Sequence, residues 1–125
     1  MRFNRSLRIV LTLIYFFTCC YLFFTTGNEF PQEDWLDKIY FDKWVHLGLF
    51  AVLALLLCWS EFGRGRRQVS RVALAGIAYG AAVEVIQGLW VPHRSADIFD
   101  FLFDSLGVGV GLYIWRRWGK KSKPL

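Results

Sequence analysis

Charge is missing from long parts of this sequence. Between Arg8 and Glu29 no residue is charged. Between Lys43 and Glu61 the only titratable side chain other than cysteine is His46. Between Arg71 and Arg94 the ionisable side chains, tyrosine aside, are Glu84 and His93, and between Asp100 and Arg116 the only acid is Asp104. Each stretch approaches the ~20 residues a helix needs to cross ~30 Å of hydrocarbon, the second falling a few short. A cleavage site is also lacking. The start MRFNRSLR followed by an apolar run has the outline of a signal peptide, but the run is long and aromatic, with no small-x-small site after it. A retained helix is expected. Cysteine is scarce: Cys19, Cys20 and Cys58 lie in apolar segments, odd in number and without metal-ligand spacing, which argues against a disulfide framework. Neither internal repeats nor low-complexity segments are present.

What is present is 55% hydrophobic and 18% aromatic across 125 residues, enough for one domain spanning 1–125. The expected fold is all-α: a polytopic membrane bundle of four transmembrane helices at about 7–26, 43–60, 72–91 and 97–115. The first connection, PQEDWLDKIYFDK, is expected to hold a short interfacial helix, with Trp35, Leu36 and Ile39 on one face. Basic residues alternate between connections. The N-terminus, the 64–71 loop and the tail hold twelve of the fifteen, leaving Lys38, Lys43 and Arg94 on the other side. The positive-inside rule puts both termini in the cytoplasm. Trp35, Trp44 and Trp90 then form an outer aromatic belt, and Trp59, Trp115 and Trp118 an inner one. The net charge of +5 calls for no nucleic-acid partner, because anionic head groups suit the basic tail.

Ionisable groups inside such helices are costly and usually face the protein interior or a water-filled cavity. Here they are ordered. Asp97, Asp100, Asp104, Gly107 and Gly111 share one helix face, as do Gly76, Gly80, Glu84 and Gln87. With 1.5 Å of rise per residue, Glu84 and Asp104 both fall roughly 10 Å below the outer boundary. The two glycine pairs both fall in the inner half, where close packing between these two helices is expected. Asp42, Lys43 and His46 stand at the outer mouth, and Arg94 lies in the turn above. Asp42, Lys43, Arg94 and Asp97 are each open to a plainer reading as snorkelling or capping groups, and Asp100 as a first-turn acid. Glu84 and Asp104 at depth fit either an interhelical hydrogen bond or a site.

D-K-x-x-H at 42–46, E-x-x-Q at 84–87, R-x-x-D-x-x-D at 94–100 and G-x-x-x-G at 107–111 together resemble the VanZ-like family over about residues 40–115. That family consists of small bacterial membrane proteins named for a member associated with teicoplanin resistance. Its members commonly have Asn where this chain has Asp104, a departure that adds an acid. The resemblance implies a multi-pass protein of the bacterial inner (cytoplasmic) membrane with a role in the cell envelope. It supplies no chemistry. A phosphotransbutyrylase activity, a label some members carry, finds no phosphate-cradling glycine loop here.

Four functions remain open. The first is an outer-leaflet pocket for the head group of a membrane lipid or lipid-linked envelope precursor, bound by Asp42, Lys43, Gln87, Arg94, Asp97 and Asp104. Such a protein would affect glycopeptide susceptibility. The second is an enzyme on such a lipid, with Glu84, His46 and Asp100 as candidate catalytic residues, His46 or Glu84 as base and Asp100 and Asp104 as acids or metal ligands. The others are an ion-coupled carrier and a structural or partner-binding protein. No cofactor and no defined metal site is expected.

Overall fold

The computed structural model describes residues 3–24, 41–62, 64–90 and 98–118, with the side chains of 41 and 42 left aside. These hold four helices and no strand: α1 (Arg5–Phe24), α2 (Phe41–Trp59), α3 (Gln68–Trp90) and α4 (Ile98–Arg117). The expected interfacial helix lies outside the described residues.

Local chemistry sets several helix ends. The Leu7 amide donates to Asn4 Oδ1 at 2.8 Å, so Asn4 caps the first turn of α1. Beyond α2, Glu61 adopts a left-handed backbone (φ 67°), a conformation that a side-chain-bearing residue enters at a cost. Gln68 Nε2 then donates to the Cys58 and Phe62 carbonyls, which ties the start of α3 to the end of α2. This is why α3 begins at Gln68, ahead of its purely apolar stretch.

The helices alternate in direction. Thr12 Oγ1 donates to Leu56 O, and Tyr15 Oη donates to Leu49 O at 2.6 Å, so α1 runs antiparallel to α2. Lys43 meets Asp100, and His46 meets Asp104, so α2 and α4 run parallel as neighbours. Their contact is the most extensive in the bundle. α3 crosses antiparallel to both, with Gly76 against Val108 and Gly80 against Asp104.

The glycines correct one expectation. Gly107 and Gly111 pack against α2 rather than α3: a Cβ at either would run into the backbone carbonyl of Leu47 or Ala51. Gly76 and Gly80 do face α4, but they meet the side chains of Val108 and Asp104, not glycines. The physical reason is the parallel α2–α4 pairing. Small residues let two backbones approach closely, and on the α2 side Ala51 and Ala54 complete the seam.

The core comprises Cys19, Phe23, Phe50, Leu53, Ala54, Cys58, Val72, Val83, Val108, Leu112 and Trp115. Trp115, expected in the inner belt, is only 6% exposed and packs inside. The three cysteines are free thiols. Large apolar side chains cover the outside, Leu74, Trp90, Tyr21 and Leu89 among them. A soluble monomer rarely exposes so much contiguous apolar surface; lipid solvates it without penalty. Three helices, Arg5–Phe24, Gln68–Trp90 and Ile98–Arg117, are long and apolar enough to cross a membrane, and Lys43–Trp59 is a shorter apolar helix. The architecture is a helical membrane bundle.

Candidate functional site

Two charged groups of opposite character lie at the two ends of the bundle. Near the start of α1, Glu61 faces Arg5, Arg8 and Arg64 at 3.5–3.8 Å, while Arg8 Nη1 also donates to Trp59 O. Arg5 and Arg64 are well exposed. This is a surface network.

The other group is built in layers. Nearest the end, Lys43 Nζ lies 3.2 Å from Asp100 Oδ1, with side-chain exposures of 13% and 11%. One turn deeper, His46 Nδ1 lies 2.6 Å from Asp104 Oδ1. Both are buried, and the Asp104 side chain is fully so. Parallel helices put the pairs in register, since Lys43 to His46 and Asp100 to Asp104 are each about one turn. Glu84 reaches the same level from α3. One donor atom from each of His46, Glu84 and Asp104 lies within 4.8 Å of the others. The walls hold the imidazole in place. The Phe23 ring sits 4.9 Å from it, and Phe50 stacks on Phe23. Buried Gln87, one turn from Glu84, donates through Nε2 to the Phe23 carbonyl at 2.8 Å and links α3 to α1.

The structure therefore brings together five of the residues singled out in the sequence: Lys43, His46, Glu84, Asp100 and Asp104. The agreement in depth between Glu84 and Asp104 is realised. His46 stands lower than expected, at the level of Asp104 rather than at the mouth. Gln87 braces the site from behind. Arg94, Asp97 and the side chain of Asp42 lie outside the described residues. Phe23 is the neighbour that sequence reasoning misses: one aromatic in the run YFFTCCYLFF carries no signal of its own.

A groove elsewhere, lined by Val10, Leu13, Ile14, Phe17, Thr18 and Tyr21, runs along the outward face of α1 and is almost wholly apolar. It is separate from the polar group.

Three spanning-length helices and one shorter one, enclosing a buried imidazole and carboxylates, define a small integral membrane protein with a polar site inside an apolar bundle. The VanZ/LLP1 family model matches residues 4–119, and the chain belongs to the VanZ-like family. The match takes in α1, beyond the 40–115 region that the motifs alone cover. No curated protein and no solved structure is matched.

Proposed function

We propose that this VanZ-like membrane protein binds the head group of a lipid or lipid-linked precursor of the bacterial envelope through the Lys43–Asp104 end of its bundle. The carrying observation is the layered polar group: an ion pair near the end of the bundle, and a buried His46–Asp104 hydrogen bond with Glu84 beside it. A bundle that needs only packing has no use for these groups, whose placement in hydrocarbon is costly and usually functional. In this reading the ends of all four helices near Arg8 and Arg117 face the cytoplasm, as the twelve basic residues suggest. The polar group then opens toward the outer leaflet of the inner membrane, where cell-wall precursors and glycopeptide drugs meet. Altered teicoplanin susceptibility would follow from occupation or remodelling of such a precursor. Lys43 and Arg94 suit phosphate or carboxylate, and Asp97 and Asp100 suit hydroxyls or amines.

The test is a lipid extract of the purified protein, read by mass spectrometry. Wild type is expected to carry a polar lipid that Glu84→Gln loses while still inserting. Identical extracts from the two would remove the reading.

A specific observation supports a second reading, acid–base catalysis on the same lipid. The His46 Nδ1–Asp104 Oδ1 hydrogen bond fixes the imidazole as such bonds fix catalytic bases, and Glu84 offers a second carboxyl within reach. Turnover of a co-purified lipid by wild type, and its absence with His46→Gln, would separate catalysis from binding.

A further inference from the structure

We infer that His46, Glu84 and Asp104 form a binding site for one divalent transition-metal ion, of the zinc or manganese class. One donor atom from each of these buried residues lies within 4.8 Å of the other two. Around an ion with bonds of about 2.0–2.2 Å, adjacent ligands stand roughly 3–3.5 Å apart, so side-chain rotation completes the set, the ion displacing the proton that joins His46 Nδ1 to Asp104 Oδ1 at 2.6 Å. The residues come from three different helices, which fixes the donors from three directions.

The second observation concerns Asp104 alone. Its side chain is completely buried, and Oδ1 is taken by His46, yet Oδ2 has no hydrogen-bond partner among the described residues. That oxygen points toward α3: a Cβ built on Gly80 would lie 3.4 Å from it, and Glu84 is one turn further along the same face. Leaving a buried carboxylate oxygen without a donor is costly, and a cation shared with Glu84 and His46 satisfies it. Donor chemistry narrows the ion. One imidazole with two carboxylates suits zinc, manganese or iron, and calcium or magnesium would favour an all-oxygen set. Two carboxylates also balance a 2+ charge, which matters where the dielectric is low. Three protein donors leave a coordination position for an outside oxygen, the pattern of reactive rather than purely structural sites. The site stands independently of lipid binding, since an ion can be held whether or not a head group is.

The test uses the full chain in detergent, stripped with chelator, then titrated with Zn2+ and counted by elemental analysis. Wild type should retain one Zn2+ per chain. Asp104→Asn and Glu84→Gln should each raise the apparent Kd at least tenfold, and Glu61→Gln, at the far end of the bundle, should leave it unchanged. His46→Gln serves where Asp104→Asn does not fold. A Co2+-loaded wild type should show visible d–d absorption that Zn2+ abolishes, a readout that needs no variant. Less than half an equivalent of Zn2+ on wild type, no Co2+ band, or full stoichiometry in all three site variants would each overturn the assignment.

Discussion

The two ends of this bundle carry the same kinds of side chain to opposite effect. Around Glu61, three arginines gather at 3.5–3.8 Å, with Arg5 and Arg64 largely exposed. Around Asp104 stand Lys43, His46, Glu84 and Asp100, and the burial is nearly complete. Exposed ion pairs contribute little and tolerate loss, because water or head groups replace the missing partner. Buried ones are costly to assemble and costlier to break. In the proposed reading, charge marks a topological end at Glu61 and a site at Asp104, and burial tells them apart.

That contrast can be tested by removing charge at each end. The largest effect is expected from His46→Ala or Asp104→Ala, each leaving a buried partner behind, at about 3–5 kcal/mol of stability by analogy with other buried pairs. The double variant should lose less than the sum of the two, and a thermal-unfolding double-mutant cycle reads the coupling. Strict additivity would show that the two residues do not interact.

Next is Gly107→Leu, which drives a side chain into the Leu47 carbonyl and pushes α2 from α4. A loss of about 1–3 kcal/mol or more is expected from overpacking. Gly109, with nothing within 4 Å of its added Cβ, should tolerate Leu within about 0.5 kcal/mol. Melting of the two variants in one detergent decides whether the α2–α4 seam holds the polar layers together; equal melting temperatures would deny it. A smaller effect is expected for Lys43→Gln. Its partner Asp100 keeps some exposure, so the variant should stay folded, with a melting temperature between those of His46→Ala and wild type. Smallest of all is Glu61→Gln, at about 0–1 kcal/mol, fading further at high salt. A large, salt-independent loss there would erase the distinction between the ends.

Much of this was open to inspection in the residues themselves. Charge-free runs around Val10, Leu53, Ala78 and Gly109 disclose helical spans, because length and polarity are properties of the chain alone. The shared depth of Glu84 and Asp104 follows from counting residues along two antiparallel helices. The partner of Gly107 does not, because that depends on α2 lying parallel beside α4, and glycine spacing is silent about which neighbour it meets. The level of His46 is hidden for the same reason: its four-residue spacing from Asp42 places it near a helix start, and only the α2–α4 register lowers it to Asp104. Trp115 shows the limit of belt reasoning, since a tryptophan near a helix end turns inward when the opposite face is free to meet lipid.

The central claim is that the buried group serves the protein's role and the exposed one does not. Rescue of a deletion strain measures this directly, with envelope integrity or glycopeptide susceptibility as the phenotype and membrane levels of each variant matched. Glu61→Gln should rescue as wild type does, and Glu84→Gln should insert but fail. Full rescue by Glu84→Gln would reduce Glu84 to a structural contact between helices and contradict the account.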